Sequence, residues 1–193
     1  MRLTVLLAVA VATLGGCAGT GASTRPRPAI SSPAPAPAPV VENTGSAWPT
    51  IVTSLISYGQ WLLADPDPAL AAVIAAPGCA SHDDFTDELD SLVATDAMVR
   101  TSPAVVTSVS GPATPTRDRV VVEATVSRAA EPVVVKGNTS LSPSAKTIWL
   151  EDRAELPATT LTVTLVREDD KWRFCKLVDK TGDPDGEALT RVL

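Results

Sequence analysis

The order of its residue patterns predicts an α+β fold for this chain: three N-terminal helices packed on one face of a curved, mostly antiparallel sheet. Three observations carry the expectation. Apolar residues recur at three- and four-residue spacing from Trp48 to about Val99, the period of a helix face. After Pro103 apolar and polar residues alternate over β-branched runs, the period of a half-buried strand. Helices first, then strands joined by turns, put the helices on one side of an antiparallel sheet.

Pro49 suits a first helical position, and Ile51, Val52, Leu55, Ile56, Leu62 and Leu63 then mark one face of a helix reaching about Ala64. Asp67-Pro68 starts a short second helix, with Asp67 as its N-cap, and Pro77-Gly78 ends that helix after Ala76. Ser81 followed three residues later by Asp84 resembles a capping box. It opens a third helix whose stripe is Phe85, Leu89, Leu92, Val93 and Val99. Strands are expected over Ala104–Ser110 and Arg119–Arg128, with a third somewhere within Pro132–Arg153, where Gly137–Ser144 reads as a loop. Thr159–Arg167 places Leu161, Val163 and Leu165 on one face and Thr160, Thr162 and Thr164 on the other. A tight turn over Glu168–Lys171 returns the chain antiparallel through Trp172–Val178.

The N-terminus reads differently. Arg2, an apolar run from Leu3 to Leu14 and a small-residue exit describe a secretory signal over residues 1–16. The run is shorter than the roughly 20 residues that a spanning helix needs. Leu14-Gly15-Gly16-Cys17 resembles the lipobox of bacterial lipoproteins in all four positions. That resemblance implies cleavage before Cys17 and a diacylglycerol thioether on it, two acyl chains being what stable anchoring takes. The chain is therefore expected on the cell membrane, lipid-anchored on the extracytoplasmic side. Residues 17–47 are rich in Ala, Gly, Ser, Thr and Pro, with an Ala-Pro repeat over Pro33–Pro39. Such a stretch is a semi-rigid extended tether. Residues 48–180 are then one domain and 181–193 an acidic tail.

Setting Cys17 aside leaves two cysteines, Cys79 and Cys175, in no metal-type spacing. Outside the cytoplasm disulfides persist, so the pair is expected to be bonded; two separately buried thiols are the alternative. From Trp48 onward 13 Lys and Arg stand against 21 Asp and Glu, a net charge of −8. A domain so charged is repelled by nucleic acid and by anionic head groups.

The run Asp169-Asp170-Lys171-Trp172-Arg173-Phe174, an acidic turn leading into a tryptophan-containing last strand, together with the order of elements, resembles the nuclear transport factor 2-like superfamily, and within it the lipid-anchored actinobacterial branch. The resemblance implies a cone: a curved sheet wrapped around N-terminal helices, often with a cavity between them. An antiparallel half-barrel that carries lipids is the alternative architecture.

Candidate chemistry is sparse. His82 is the single histidine, so neither a His cluster for a metal nor a two-histidine relay can form. Beside Asp83 and Asp84 it fits the first turn of a helix, where acidic groups complement the dipole; the alternative is a His82–Asp general base facing a pocket. Asp83, Asp84, Asp87, Glu88, Asp90 and Asp96 lack EF-hand spacing, as does Asp183-Pro184-Asp185-Gly186-Glu187. They read as a solvated acidic face. No nucleophile elbow, P-loop or dinucleotide fingerprint occurs. Trp48, Tyr58, Trp61, Trp149, Trp172 and Phe174 read as core, with a ligand-lining role as the alternative. The sequence thus points to a domain without cofactor, metal or catalytic residues that binds a small apolar ligand or an envelope protein. A lipid carrier with an apolar cavity and a small isomerase- or hydrolase-like enzyme stay open.

Overall fold

The computed structural model describes residues 36–136, 148–180 and 188–193. The signal segment, Cys17, the tether up to residue 35, the stretch 137–147 and residues 181–187 lie outside the described residues.

The first helix, α1, spans Trp48–Ala64 with Pro49 in its first turn. It buries Ile51, Val52, Leu55, Ile56, Leu62 and Leu63, the stripe read from the sequence. The expected second helix is a 3₁₀ helix over Pro68–Val73, and the Asp67 carboxylate caps it by accepting from the Ala69 N–H at 3.1 Å. It stops short of Ala76 because residues 74–76 turn to strand-like pairing. The Phe174 N–H donates to the Ile74 carbonyl, and the Ala76 N–H to the Phe174 carbonyl, at 2.7 and 2.8 Å. The third helix, α2, covers Ala80–Ala94. Its N-cap is Cys79 without a side-chain bond, and Ser81 lies buried with an unpartnered Oγ, so the expected capping box does not form.

The stripe extended to Val99 also divides. Helix α2 ends in Thr95 and Asp96, the latter at φ 49°, and residues Ala97–Val99 form a strand, β1. Six more strands follow: β2 (Val105–Ser110), β3 (Arg119–Arg128), β4 (Glu131–Val135), β5 (Trp149–Arg153), β6 (Leu156–Glu168) and β7 (Lys171–Asp179). The region expected to hold a third strand thus supplies two, β4 and β5.

The single curved sheet of the sequence reading is two antiparallel ladders, β2-β3-β6-β7 and β1-β4-β5. They are nonetheless lengths of one ribbon. Arg128 pairs with Leu156 at the end of one ladder, and Glu131 pairs with Arg153 at the start of the other. Each strand advances three residues between those pairs, so the register runs through the break at residues 129–130 and 154–155. Leu161, Val163 and Leu165 are buried, as the alternation of β6 requires. Between β6 and β7, Asp169 and Asp170 both adopt positive φ, the pattern of a primed two-residue hairpin turn that matches strand twist.

Two segments outside the expected domain join its core. Of the residues assigned to the tether, Asn43 is buried; its carbonyl accepts from the Trp172 N–H at 2.7 Å and its amide donates to the Trp172 carbonyl at 2.9 Å. Of those assigned to the tail, Ala188–Val192 form a helix, α3, and Leu189, Val192 and Leu193 are fully buried. Asn43 and residues 74–76 together cover the outer edge of β7, which a sheet cannot leave bare without inviting mispairing.

Cys79 and Cys175 form a disulfide across 96 positions, with Cα atoms 4.8 Å apart. A bulge explains the reach. Thr164 pairs with Lys176 but Leu165 with Phe174, so Cys175 is the extra residue, and a bulge re-aims a side chain that regular alternation would turn outward. Replacing both cysteines by serine should cost at most about 4–5 kcal/mol, the loop-closure entropy for such a span. Urea unfolding of the oxidised, reduced and double-serine proteins measures it. Coincident midpoints would remove the disulfide from the stability account.

Candidate functional site

Among the described residues, the space between helices and sheet is filled from within. Phe85, Trp172 and Phe174 are fully buried there with Leu55, Leu62, Leu89 and Leu177. Helix α3 completes the filling: Leu193 lies so close to Gly59 of α1 that a Cβ there would stand 2.6 Å from the leucine Cδ2. Two clefts lie at the surface. One of about 470 Å³ is lined by Ser110, Gly111, Pro112, Val121, Glu123 and Lys180. Another, of about 300 Å³, adjoins the break in the ribbon beside Glu88, Glu151, Arg153, Glu155 and Thr190.

At that break sits a buried ionic group. The Glu131 carboxylate, fully buried, accepts from the Arg128 and Arg153 guanidiniums at 3.1 Å each and from the Ser102 N–H at 2.6 Å. Arg128 donates further to the carbonyls of Ala129, Ala154 and Arg191, at 2.8 to 3.3 Å. Arg153 also donates to the Thr190 carbonyl. Burial lowers the pKa of the Arg128 guanidinium; Glu131 opposes that shift and the Arg153 charge adds to it. The group has its donors directed at protein acceptors, and what it does is fasten the ribbon to α3.

The sequence-derived candidates scatter. His82 lies in the first turn of α2, with Nδ1 3.4 Å from an Asp83 oxygen and about a fifth of its side chain exposed. It is partly buried. Asp83, Asp87, Asp90 and Asp96 are exposed, and no grouping of three metal-type side chains occurs among the described residues. Cys79 and Cys175 meet; Cys17 lies outside the described residues. No described helix is long and apolar enough to cross a membrane.

Of the aromatic residues read as core, Trp48, Tyr58, Trp172 and Phe174 are buried. Trp61 is partly buried against the core, and Trp149 is 59% exposed on β5 with Ile148 and Leu150 each 49% exposed beside it. Sequence reasoning did not single out this edge or the ionic group. One signal for the latter was present: Arg128 continues the inward parity of Val120, Val122, Ala124 and Val126, and an arginine on a core face needs a buried partner.

Neither a protein-family model nor a curated protein matches the chain. Among similar solved structures is the intermembrane space region of the chloroplast protein ARC6, 12% identical, covering 66% of this chain and 92% of that one at a TM-score of 0.42. A protein of unknown function with a cystatin-like fold from Nostoc punctiforme is 10% identical, with 74% and 98% covered and a TM-score of 0.35. An NTF2-like protein with a cystatin-like fold from Novosphingobium aromaticivorans is 17% identical, with 72% and 85% covered and a TM-score of 0.32. These likenesses concern the course of the chain and carry neither an activity nor a partner across.

Two substitutions separate the roles drawn above. Glu131→Ala leaves two buried guanidiniums facing each other and should cost about 3–5 kcal/mol. His82→Ala removes a partly buried side chain that approaches Asp83 and should cost about 1 kcal/mol or less. Denaturation midpoints of the two variants, at equal slope, make the comparison.

Proposed function

We propose that this chain is an exported lipoprotein, held to the membrane through acyl chains on Cys17, whose NTF2-like domain acts without catalysis by binding a partner protein at the cell envelope. The observation that carries the reading is the filled interior. Catalytic and ligand-carrying cones work through a cavity between helices and sheet, whereas here that space holds Phe85, Trp172, Phe174 and the side chains of α3. Recognition is then left to the outer surface, and an exposed tryptophan flanked by two aliphatic residues is a feature of interaction surfaces.

The anchor fits that role. A lipid would fix the domain at one membrane, with the Pro-rich stretch ahead of residue 36 as the spacer, while the Ala36 carbonyl already accepts from the Trp61 indole and the chain from Val41 onward packs on the domain. A partner is then met at the envelope without a search through solution.

Two measurements test this. Mass spectrometry of the N-terminal peptide should find a diacylated Cys17, and Cys17→Ala should move the protein from the detergent phase to the aqueous phase. Photo-crosslinking residues placed one at a time over the domain surface in living cells should give a discrete adduct from a contiguous patch. An unmodified Cys17 would sink the anchor. A surface that yields no adduct anywhere would sink partner binding.

A further inference from the structure

Strand β5 is the outer strand of its ladder, paired only with β4 among the described residues. Alternate N–H and C=O groups along its free side therefore point away from the protein, as on any edge strand. Its start carries Ile148, Trp149 and Leu150, all about half exposed. They are not arranged at random. Val133 pairs with Glu151 but Val134 with Trp149, so Leu150 is a bulge residue. Bulges at sheet edges re-aim side chains and recur beside sites.

Trp149 differs from the other tryptophans in its hydrogen bonding too. The indole N–H groups of Trp48, Trp61 and Trp172 each donate to a main-chain carbonyl, at 2.8 to 2.9 Å. No partner for the Trp149 indole occurs among the described residues. A large ring left half in water with its donor unmet is the side chain that a partner most readily uses as an anchor.

Acidic side chains stand beside it. Glu151 and Asp152 are exposed on the same strand, and neither forms an ion pair among the described residues. Glu88, Glu151 and Glu155 line the cleft of about 300 Å³ at the far end of β5. Of the three arginines of that cleft, Arg128 and Arg153 are already committed to Glu131 and to carbonyls of α3, and Arg191 lies 3.8 Å from the Asp179 carboxylate.

Resting on the partner-binding reading, we propose that the free edge of β5 takes up an extended basic segment of a partner protein as an added strand. Apolar residues of the segment cover Ile148, Trp149 and Leu150, and its lysines or arginines meet Glu151, Asp152 and the Glu88–Glu155 cleft. Main-chain bonds along the edge supply affinity and the alternate side chains supply selection. The same charges argue against other occupants. Two copies paired edge to edge would bring the carboxylates of one β5 against those of the other, which is unfavourable across strands. An anionic lipid surface is repelled likewise.

The test uses the full-length chain in detergent and an end-blocked peptide alternating lysine and valine, with a glutamate–valine peptide as control. The basic peptide should slow amide exchange at residues 149–153 and shift Trp149 emission to the blue. It should bind at least about tenfold more tightly than the acidic one, a difference of about 1.4 kcal/mol. Trp149→Ala should lose at least that factor, and the double variant Glu151→Lys, Asp152→Lys should reverse the preference. Equal binding of both peptides, no binding of either, or protection elsewhere would overturn the proposal. So would protection of β5 that grows with protein concentration alone, which marks a second copy, or a blue shift on phosphatidylglycerol vesicles, which marks a membrane. In the cell, adducts confined to other faces would remove this site while leaving partner binding intact, whereas adducts nowhere remove both.

Discussion

The break in the long ribbon is the constraint on which the rest of the domain depends. Where β3 gives way to β4, and β5 to β6, the ladder lapses for two residues on each strand while its register persists. Main-chain carbonyls at such a lapse lose their sheet partners, and buried ones must find others. Arg128 meets that need, donating to the carbonyls of Ala129 and Ala154, one from each strand. A buried guanidinium in turn needs a counter-charge, and Glu131 supplies it from three residues further on. The remaining donors of Arg128 and Arg153 reach α3, so the device that completes the bend also fixes the last helix.

This arrangement is costly in desolvation, and an ion pair so deeply buried is a weak source of net stability. Its consequence is geometric. With Glu131 also accepting from the Ser102 N–H, and Gln60 of α1 bonding the Ser102 carbonyl and the Ala104 N–H, the bend, the first helix and the entry to β2 share one polar junction. The apolar core does the stabilising around it. The tryptophan pair Trp48 and Trp172, packed edge to face at 5.3 Å, closes the opposite end.

Much of the layout was legible because period is a strong signal. The stripe of α1 and the alternation of β3 and β6 read correctly since each is long enough for its period to show. The misread parts are short or locally overridden. Residues 97–99 follow the apolar stripe of α2 yet pair with β4, because Asp96 at positive φ ends the helix. The spacing of Leu189, Val192 and Leu193 is helical, but five residues beside an acidic, Pro- and Gly-containing stretch give too little pattern to stand out. The pairing of Cys79 with Cys175 was legible from number and the expected compartment, whereas the bulge that aims Cys175 was not. Trp149 was assigned to the core with the other aromatics because composition alone does not tell a strand's open edge from its covered one.

Placing α3 in the core ties the beginning of the domain to residues far along the chain. Leu193 rests on Gly59 and Asn43 on Trp172, so the polypeptide cannot close its interior until positions beyond 189 are present. A chain emerging N-terminus first therefore stays open until nearly all of it has emerged. With contacts this distant in sequence, folding starts late and runs slowly. For such a topology the interval between the emergence of β7 and the docking of α3 is the period in which a chaperone would matter most.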